Sequence, residues 1–267
     1  MSLRINTNVE AFNAHRNLSA TSAKMAKSME RLSSGLRINR AADDAAGLAI
    51  SEKLRGQIGG LDQARRNAQD GISLVQTAEG QLTEVHSMLQ RIRTLAVQYN
   101  NGTLNADNKT AIDTEVAQLT TELTAIGTRA EFNGTKLLDN TNTITFQVGA
   151  NDTETTTVDA IDLATELGAV AGITSLAGVT MAQIDTAITN VSQARADFGA
   201  VQNRLDHTLN HLSVYQENLT ASESRIRDVD MAEEMVTFTK TQILSQAGTA
   251  ILAQANQASQ GVLSLLR

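Results

Sequence analysis

The chain has 267 residues with no Pro, no Cys and no Trp, 3% aromatic content and a net charge of −7. Zero cysteine excludes disulfides, thiolate metal sites and Cys nucleophiles together, and zero proline leaves no residue that must kink or end a long helix. Few aromatics and much Ala, Leu, Ile and Val suit thin helix–helix seams better than a thick globular core.

The opening, Met1-Ser2-Leu3-Arg4-Ile5-Asn6, lacks a basic region followed by an apolar core, so no cleaved secretory signal is expected. No apolar run approaches the roughly eighteen residues that cross a bilayer. Residues 9–32 read as a helix, because Ala11, Ala14, Leu18, Met25 and Leu32 fall on heptad spacing and Ser33-Ser34-Gly35 supplies a stop. Residues 1–40 carry seven Lys/Arg against Glu10 and Glu30, a net +5. These cations are scattered among Ser, Asn and Ala without aromatic platforms, so a solvated helix face is expected and a nucleic-acid partner is not.

After a connector over residues 36–42, Asp43 and Asp44 can cap a new helix and favour its positive end. On it Leu54, Leu61, Ala68, Val75, Leu82, Leu89 and Ala96 form a seven-residue comb. Each has an apolar companion three or four residues on: Ile58, Ala64, Ile72, Ala78, Val85, Ile92 and Tyr99. Such a pattern marks a helix with a heptad seam, about 64 Å long from Leu54 to Ala96. Its glycines weaken it, and Gly59-Gly60 is the expected place for a break.

Asn100-Asn101-Gly102 signals a turn. Asn105 can cap a third helix carrying Ile112, Val116, Leu119, Leu123 and Ile126, with Gly127 as its end. Asn133-Gly134 is a tight-turn pair, Ile144-Thr145-Phe146-Gln147-Val148 alternates as a strand, and Thr155-Thr156-Thr157-Val158 offers its companion. Residues 130–178 are therefore expected to be β and loop. Thr180 and Gln183 match a capping box before a second comb of Ile184, Val191, Phe198, Leu205, Leu212, Leu219 and Ile226. Asp228 or Asp230 then begins a last helix with Val236, Ile243, Ala247, Ala250, Ala258, Val262 and Leu265. The fold class expected is mainly α: a long antiparallel helical bundle or coiled coil, with a small β-hairpin region between its halves.

Head and tail are each amphipathic, and neither hides its stripe alone; an isolated helix of this kind is marginal in water. Pairing the +5 head with the tail, −2 over residues 228–267, covers one seam and leaves much apolar surface open. The physical expectation is a homopolymer whose subunit ends become ordered together at its centre.

The head also resembles bacterial flagellin, in Arg4-Ile5-Asn6-Thr7-Asn8, in Arg31-Leu32-Ser33-Ser34-Gly35-Leu36-Arg37-Ile38-Asn39, and in Ala41-Ala42-Asp43-Asp44-Ala45-Ala46-Gly47-Leu48-Ala49-Ile50. The tail resembles it through Ser224-Arg225-Ile226-Arg227-Asp228-Val229-Asp230-Met231-Ala232-Glu233-Glu234 and the ending Gly261-Val262-Leu263-Ser264-Leu265-Leu266-Arg267. Glu131-Phe132-Asn133-Gly134-Thr135-Lys136-Leu137-Leu138 looks like the family's turn after its third helix. The likeness covers roughly residues 1–140 and 178–267. It implies a structural subunit, exported through the flagellum's own type III route without a cleaved signal, that self-assembles into the flagellar filament for motility. Its implied partners are other copies of itself, the cap and junction proteins, and an export chaperone that holds the tail helix.

The resemblance also implies a division of the chain. Residues 1–42 and 228–267 pair as the inner filament core, and residues 43–227 form the outer core, with the β region near 130–178 in place of the large outer domains of longer relatives. Leu18, Met25, Leu32, Val236, Ile243, Ala250, Val262, Leu263, Leu265 and Leu266 are the implied inner-core assembly residues. Gln90-Arg91-Ile92-Arg93, Leu95-Ala96-Val97-Gln98 and Glu115 match the segment read by the flagellin-sensing Toll-like receptor. That makes Gln90, Arg91, Leu95 and Glu115 candidates for receptor and protofilament contacts. The plainer reading makes Leu95 a seam residue and Arg91 a solvated charge.

No catalytic residue, metal site or cofactor is expected. His207 and His211 have a zinc-compatible spacing, but Thr208 stands where a metallopeptidase needs Glu and no third ligand presents itself; no phosphate loop or Gly-x-Ser-x-Gly occurs. Asn101-Gly102-Thr103 and Asn133-Gly134-Thr135 are explained by turn chemistry, and residues 153–157 offer threonines for O-glycosylation. Two rivals remain at this stage: the hook–filament junction protein, which shares both ends, and a secreted coiled-coil effector or adhesin that stays small.

Overall fold

The computed structural model describes residues 7–139 and 142–265, with side chains described as far as residue 257. Among the described residues there are six α-helices: α1 (Val9–Ser34), α2 (Ala45–Tyr99), α3 (Ala106–Arg129), α4 (Leu163–Leu167), α5 (Met181–Arg227) and α6 (Met231–Leu265). The strands are β1 (Glu131–Phe132), β2 (Thr135–Lys136), β3 (Thr143–Gln147) and β4 (Thr155–Asp159), and a 3-10 turn spans Gly168–Val170. The chain divides into two compact units, Met1–Gly56 with Asn218–Arg267, and Gln57–Glu217.

In the first unit α1 and α6 lie antiparallel. Asn8 Nδ2 donates to the Ala255 carbonyl at 2.8 Å, Leu18 packs on Gly248, and Arg31 pairs with Glu234 at 3.4 Å. The start of α1 is fixed by Asn8, whose side chain accepts from the Ala11 amide, and its end by Gly35 in the left-handed conformation at φ 72°. Asp230 takes the cap of α6, accepting from the amides of Ala232 and Glu233. The connectors on either side of the pair run antiparallel to each other. Leu36 bridges Asp228, the Arg37 amide donates to the Arg227 carbonyl at 2.7 Å, and the Val229 amide to Gly35 at 3.0 Å.

The second unit is built around one apolar core. It includes Val75, Leu82, Leu89 and Ile92 of α2, Val116 and Leu123 of α3, and Ile184, Val191 and Phe198 of α5. α2 and α5 are antiparallel here: Leu205 lies beside Gly71, Arg195 beside Glu79 and Asp185 beside Arg93. Every tooth of the first comb after Leu54 is buried, as are Ile184, Val191, Phe198, Leu205 and Leu212 of the second.

Two expectations of helix breakage do not hold. α2 runs unbroken through Gly59 and Gly60, and α3 passes Gly127 to end at Arg129. Burial on the seam outweighs the local propensity cost of glycine. Gly60 meanwhile lets Ala150 come close, since a Cβ there would stand 3.1 Å from that of Ala150.

The middle contains the two expected hairpins. Asn133 and Gly134 both have positive φ and join β1 to β2, and β3 pairs β4 antiparallel from Thr143↔Asp159 to Gln147↔Thr155. It is not all β and loop, however. Asp162 caps the short α4, and residues 163–176 form a strap that inserts Leu163, Leu167, Val170, Ile173 and Leu176 into the core. Side chains of the long helices hold it. Thr120 donates to the Ile173 carbonyl at 2.7 Å, the Leu176 amide donates to Asp113 at 2.8 Å, and Asn190 donates to the Glu166 carbonyl at 3.1 Å.

Candidate assembly surfaces

The seam of α6 against α1 steps by four and three: Glu234, Phe238, Thr241, Ser245, Gly248, Leu252 and Ala255 are its buried or half-buried positions. Only Phe238 and Leu252 among them are large and apolar. α1 brings the greasier half of the contact, with Leu18, Met25 and Leu32 half-buried on the same face as the buried Ser28.

The implied α6 residues lie elsewhere. Val236, Ile243 and Ala250 stand two positions beyond Glu234, Thr241 and Gly248, about 200° around the helix, and all three are exposed. Val236 is 69% and Ile243 60% exposed, and Met231, Met235, Leu244 and Ile251 are exposed as well. Met235, Val236, Thr239, Lys240, Ile243 and Leu244 line a shallow groove of ≈ 490 Å³. The side chains of Val262, Leu263, Leu265 and Leu266 lie outside the described residues. The head and tail thus bury one weak seam between them, and α6 turns its richer apolar stripe outward.

Around the connectors of this unit the structure gathers charges. Asp43 accepts from the amides of Asn39 and Arg40 and pairs with Lys27 at 2.7 Å. The Lys27 ammonium first, and the Arg40 amide after it, pull its pKa down to about 2. Asp44, not Asp43, caps α2 by accepting from the Gly47 amide. Glu52 pairs with Arg227 at 2.6 Å, which holds that carboxyl below its ordinary range, and Arg37 also donates to the Ile226 carbonyl. Sequence reading took Asp43 for a cap alone, because no local spacing connects it to Lys27.

On the second unit, Arg91 of α2 and Glu115 of α3 form an exposed ion pair at 2.6 Å, and Gln90 is exposed beside it with its amide 2.8 Å from His86 Nε2. Leu95 does not join them. It is 2% exposed and belongs to the hydrophobic core, because it sits three residues after the buried Ile92 on the seam side. Its burial fits the plainer reading of a seam residue. His207 and His211 are exposed, and the His211 ring stacks on Tyr215 with centroids 6.1 Å apart. Among the described residues no three His, Asp or Glu side chains converge as metal ligands, and no helix is long and apolar enough to cross a membrane.

Comparison with known proteins accounts for this arrangement. The family model of the bacterial flagellin N-terminal helical region matches residues 5–143, and that of the C-terminal helical region matches residues 181–266. The chain belongs to the bacterial flagellin family. Flagellin of Halalkalibacterium halodurans is 54% identical, over 98% of this chain and 99% of the relative. Flagellin of Bacillus subtilis is 49% identical, over 99% of this chain and all of the relative. A crystal structure of Bacillus cereus flagellin superposes with a TM-score of 0.51 at 35% identity, covering 55% of this chain and 88% of that one. The two flagellin matches stop and resume around residues 144–180, the stretch that here holds most of β3, β4, the strap and α4. The alignment with the Halalkalibacterium halodurans flagellin runs over only 271 residues, so the shortness of this chain is shared with that relative, whereas the alignment with the Bacillus subtilis flagellin extends over 304. In flagellin terms, both outward surfaces described above fall inside the matched halves.

Proposed function

We propose that this flagellin, a structural subunit of the bacterial flagellar filament, assembles by burying the outward stripe of α6 against further copies of itself. The observation that carries the reading is the exposure of Met235, Val236, Ile243, Leu244 and Ile251 on one helix whose other face is already taken by α1. Each such side chain contributes about 1.5–3 kcal/mol when fully withdrawn from water. Residues 1–42 and 228–267 act as the inner layer of the polymer, with Leu18, Met25 and Leu32 holding α1 to α6; residues 43–227 act as the outer layer. Val262, Leu263, Leu265 and Leu266 take part in assembly, and Leu263, Leu265 and Leu266 offer the export chaperone its handle. Export runs through the flagellar type III channel, and growth proceeds under the cap beyond the junction proteins. The chain acts as a building element and performs no reaction.

Purified subunit added to sheared filament seeds tests this. The unaltered chain is expected to elongate them into tubes visible by electron microscopy. Val236→Asp and Ile243→Asp are expected to block elongation while leaving the unfolding midpoint of the monomer unchanged, because both side chains are solvent-exposed there. Elongation at the normal rate by both variants would overturn the reading.

A second partner is favoured by the Arg91–Glu115 pair, which is preformed and exposed next to Gln90. These three residues are proposed to serve both neighbouring subunits and a flagellin-sensing Toll-like receptor. Arg91→Ala is expected to weaken binding to the receptor ectodomain by about 1–2 kcal/mol, as for an interface arginine, read by calorimetry; undiminished affinity would refute the assignment.

A further inference from the structure

Three methionines of the described residues are largely exposed: Met29 at 56%, Met231 at 48% and Met235 at 49%. All three belong to the α1–α6 unit. Met231 and Met235 are one helical turn apart on α6, and Met29 occupies the same stretch of the pair, since Arg31 two residues on meets Glu234. The contrast with the other described methionines is sharp: Met25 is half-buried at the α1–α6 seam, and Met88 and Met181 pack against the core of the second unit. Met235 also lines the groove between Val236, Ile243 and Leu244. Of these three exposed methionines, Met235 thus stands in the groove of the face whose burial would drive assembly, and Met231 lies one turn before it on the same helix.

We propose that Met29, Met231 and Met235 form an oxidation site that governs the competence of the unassembled subunit, with peroxides as the reacting class. The inference rests on the assembly role of the α6 face argued above. The thioether sulfur attacks one oxygen of the peroxide and the O–O bond breaks. Sulfur gains that oxygen and gives up two electrons, and with hydrogen peroxide the other oxygen leaves as water. The product is a methionine sulfoxide, polar and a strong hydrogen-bond acceptor where an adaptable apolar group stood. A sulfoxide at Met231 or Met235 stays hydrated in the free subunit and loses that water if the face closes on a neighbour, so it opposes polymerisation without unfolding the monomer. Methionine sulfoxide reductases reverse the change. In the finished polymer the same sulfurs are covered and protected.

The test treats monomer with hydrogen peroxide to partial conversion, quenches it, and adds it to untreated seeds. Peptide mass spectrometry then compares sulfoxide at each methionine in the pelleted filament and in the protein left in solution. The expected results are faster oxidation of Met29, Met231 and Met235 than of Met88 and Met181 in the monomer, and their sulfoxides enriched about tenfold in the unincorporated fraction. Reductase treatment should restore elongation. Met29→Leu, Met231→Leu and Met235→Leu combined should make elongation resistant to peroxide, whereas Met88→Leu with Met181→Leu should not. Equal sulfoxide in both fractions overturns the proposal whether or not the triple variant assembles, as does a triple variant that remains peroxide-sensitive. Failure of the untreated chain to elongate seeds would instead strike at the assembly reading, which keeps the two questions apart.

Discussion

Single residues in the first unit carry more of the electrostatics than their positions in the chain suggest. Asp43 has its pKa lowered from an ordinary 3.8 to about 2 by Lys27 and by two backbone amides. A folded value below the unfolded one means that the ionised carboxylate supports the connector fully above about pH 4, and that this support fades as pH falls through the interval down to 2. Glu52, held low by Arg227 first, adds a contribution of the same sign. Acidification of the monomer is therefore expected to release the Asn39 and Arg40 amides, seen as loss of their NMR dispersion between about pH 4 and 2. Asp43→Asn should abolish that pH dependence and leave the connector looser at neutral pH. An unchanged acid transition in the variant would show that another group governs the joint.

At the scale of the element, periodicity converts into packing with few exceptions. Leu89 is wholly buried on α2, whereas Val97 on the same helix faces solvent. Leu89→Ala is expected to destabilise the monomer by about 2–5 kcal/mol in urea unfolding, through lost transfer energy and a residual cavity. Val97→Ala should stay within about 0.5 kcal/mol. Similar losses at the two positions would mean that the seam has been assigned to the wrong face of the helix. The caps behave as their chemistry requires: the Thr180 amide donates to the Gln183 side chain at 2.9 Å, and the Gln183 amide reaches back to the Thr180 hydroxyl at 3.4 Å. Asn105, Asn133-Gly134 and Gly35 were legible for the same reason, since each satisfies hydrogen bonds or dihedrals within a few residues of itself. The strap at 163–176 was not. Its apolar residues have no regular period and are held by Asp113, Thr120 and Asn190, which are remote in sequence.

Over the whole molecule, stability is expected to be unevenly distributed. The core of the second unit joins three long helices, the hairpins and the strap, while the α1–α6 seam includes Glu234, Thr241, Ser245 and Gly248. Segments with few buried apolar contacts open first. In the free subunit, peptides covering residues 9–34 and 231–257 should therefore exchange backbone hydrogen well before those covering 75–96, and should gain protection in filaments. Equal protection of both units in the monomer would argue against assembly coupled to ordering. It would mean that the ends are complete before any neighbour arrives.

The chain by itself determined the two long combs, the caps and turns, the β3–β4 pairing, and through its end motifs the flagellin family. All of these are carried by neighbours in sequence or by unbroken strings. Tertiary structure alone decided that α6 spends its polar, small-residue face on α1 and leaves Val236 and Ile243 outside, that Leu95 is core and not surface, and that Asp43 belongs to Lys27. A helix with more than one stripe can bury only what its partner meets. Which stripe that is depends on a second helix some two hundred residues away, and no local pattern records it.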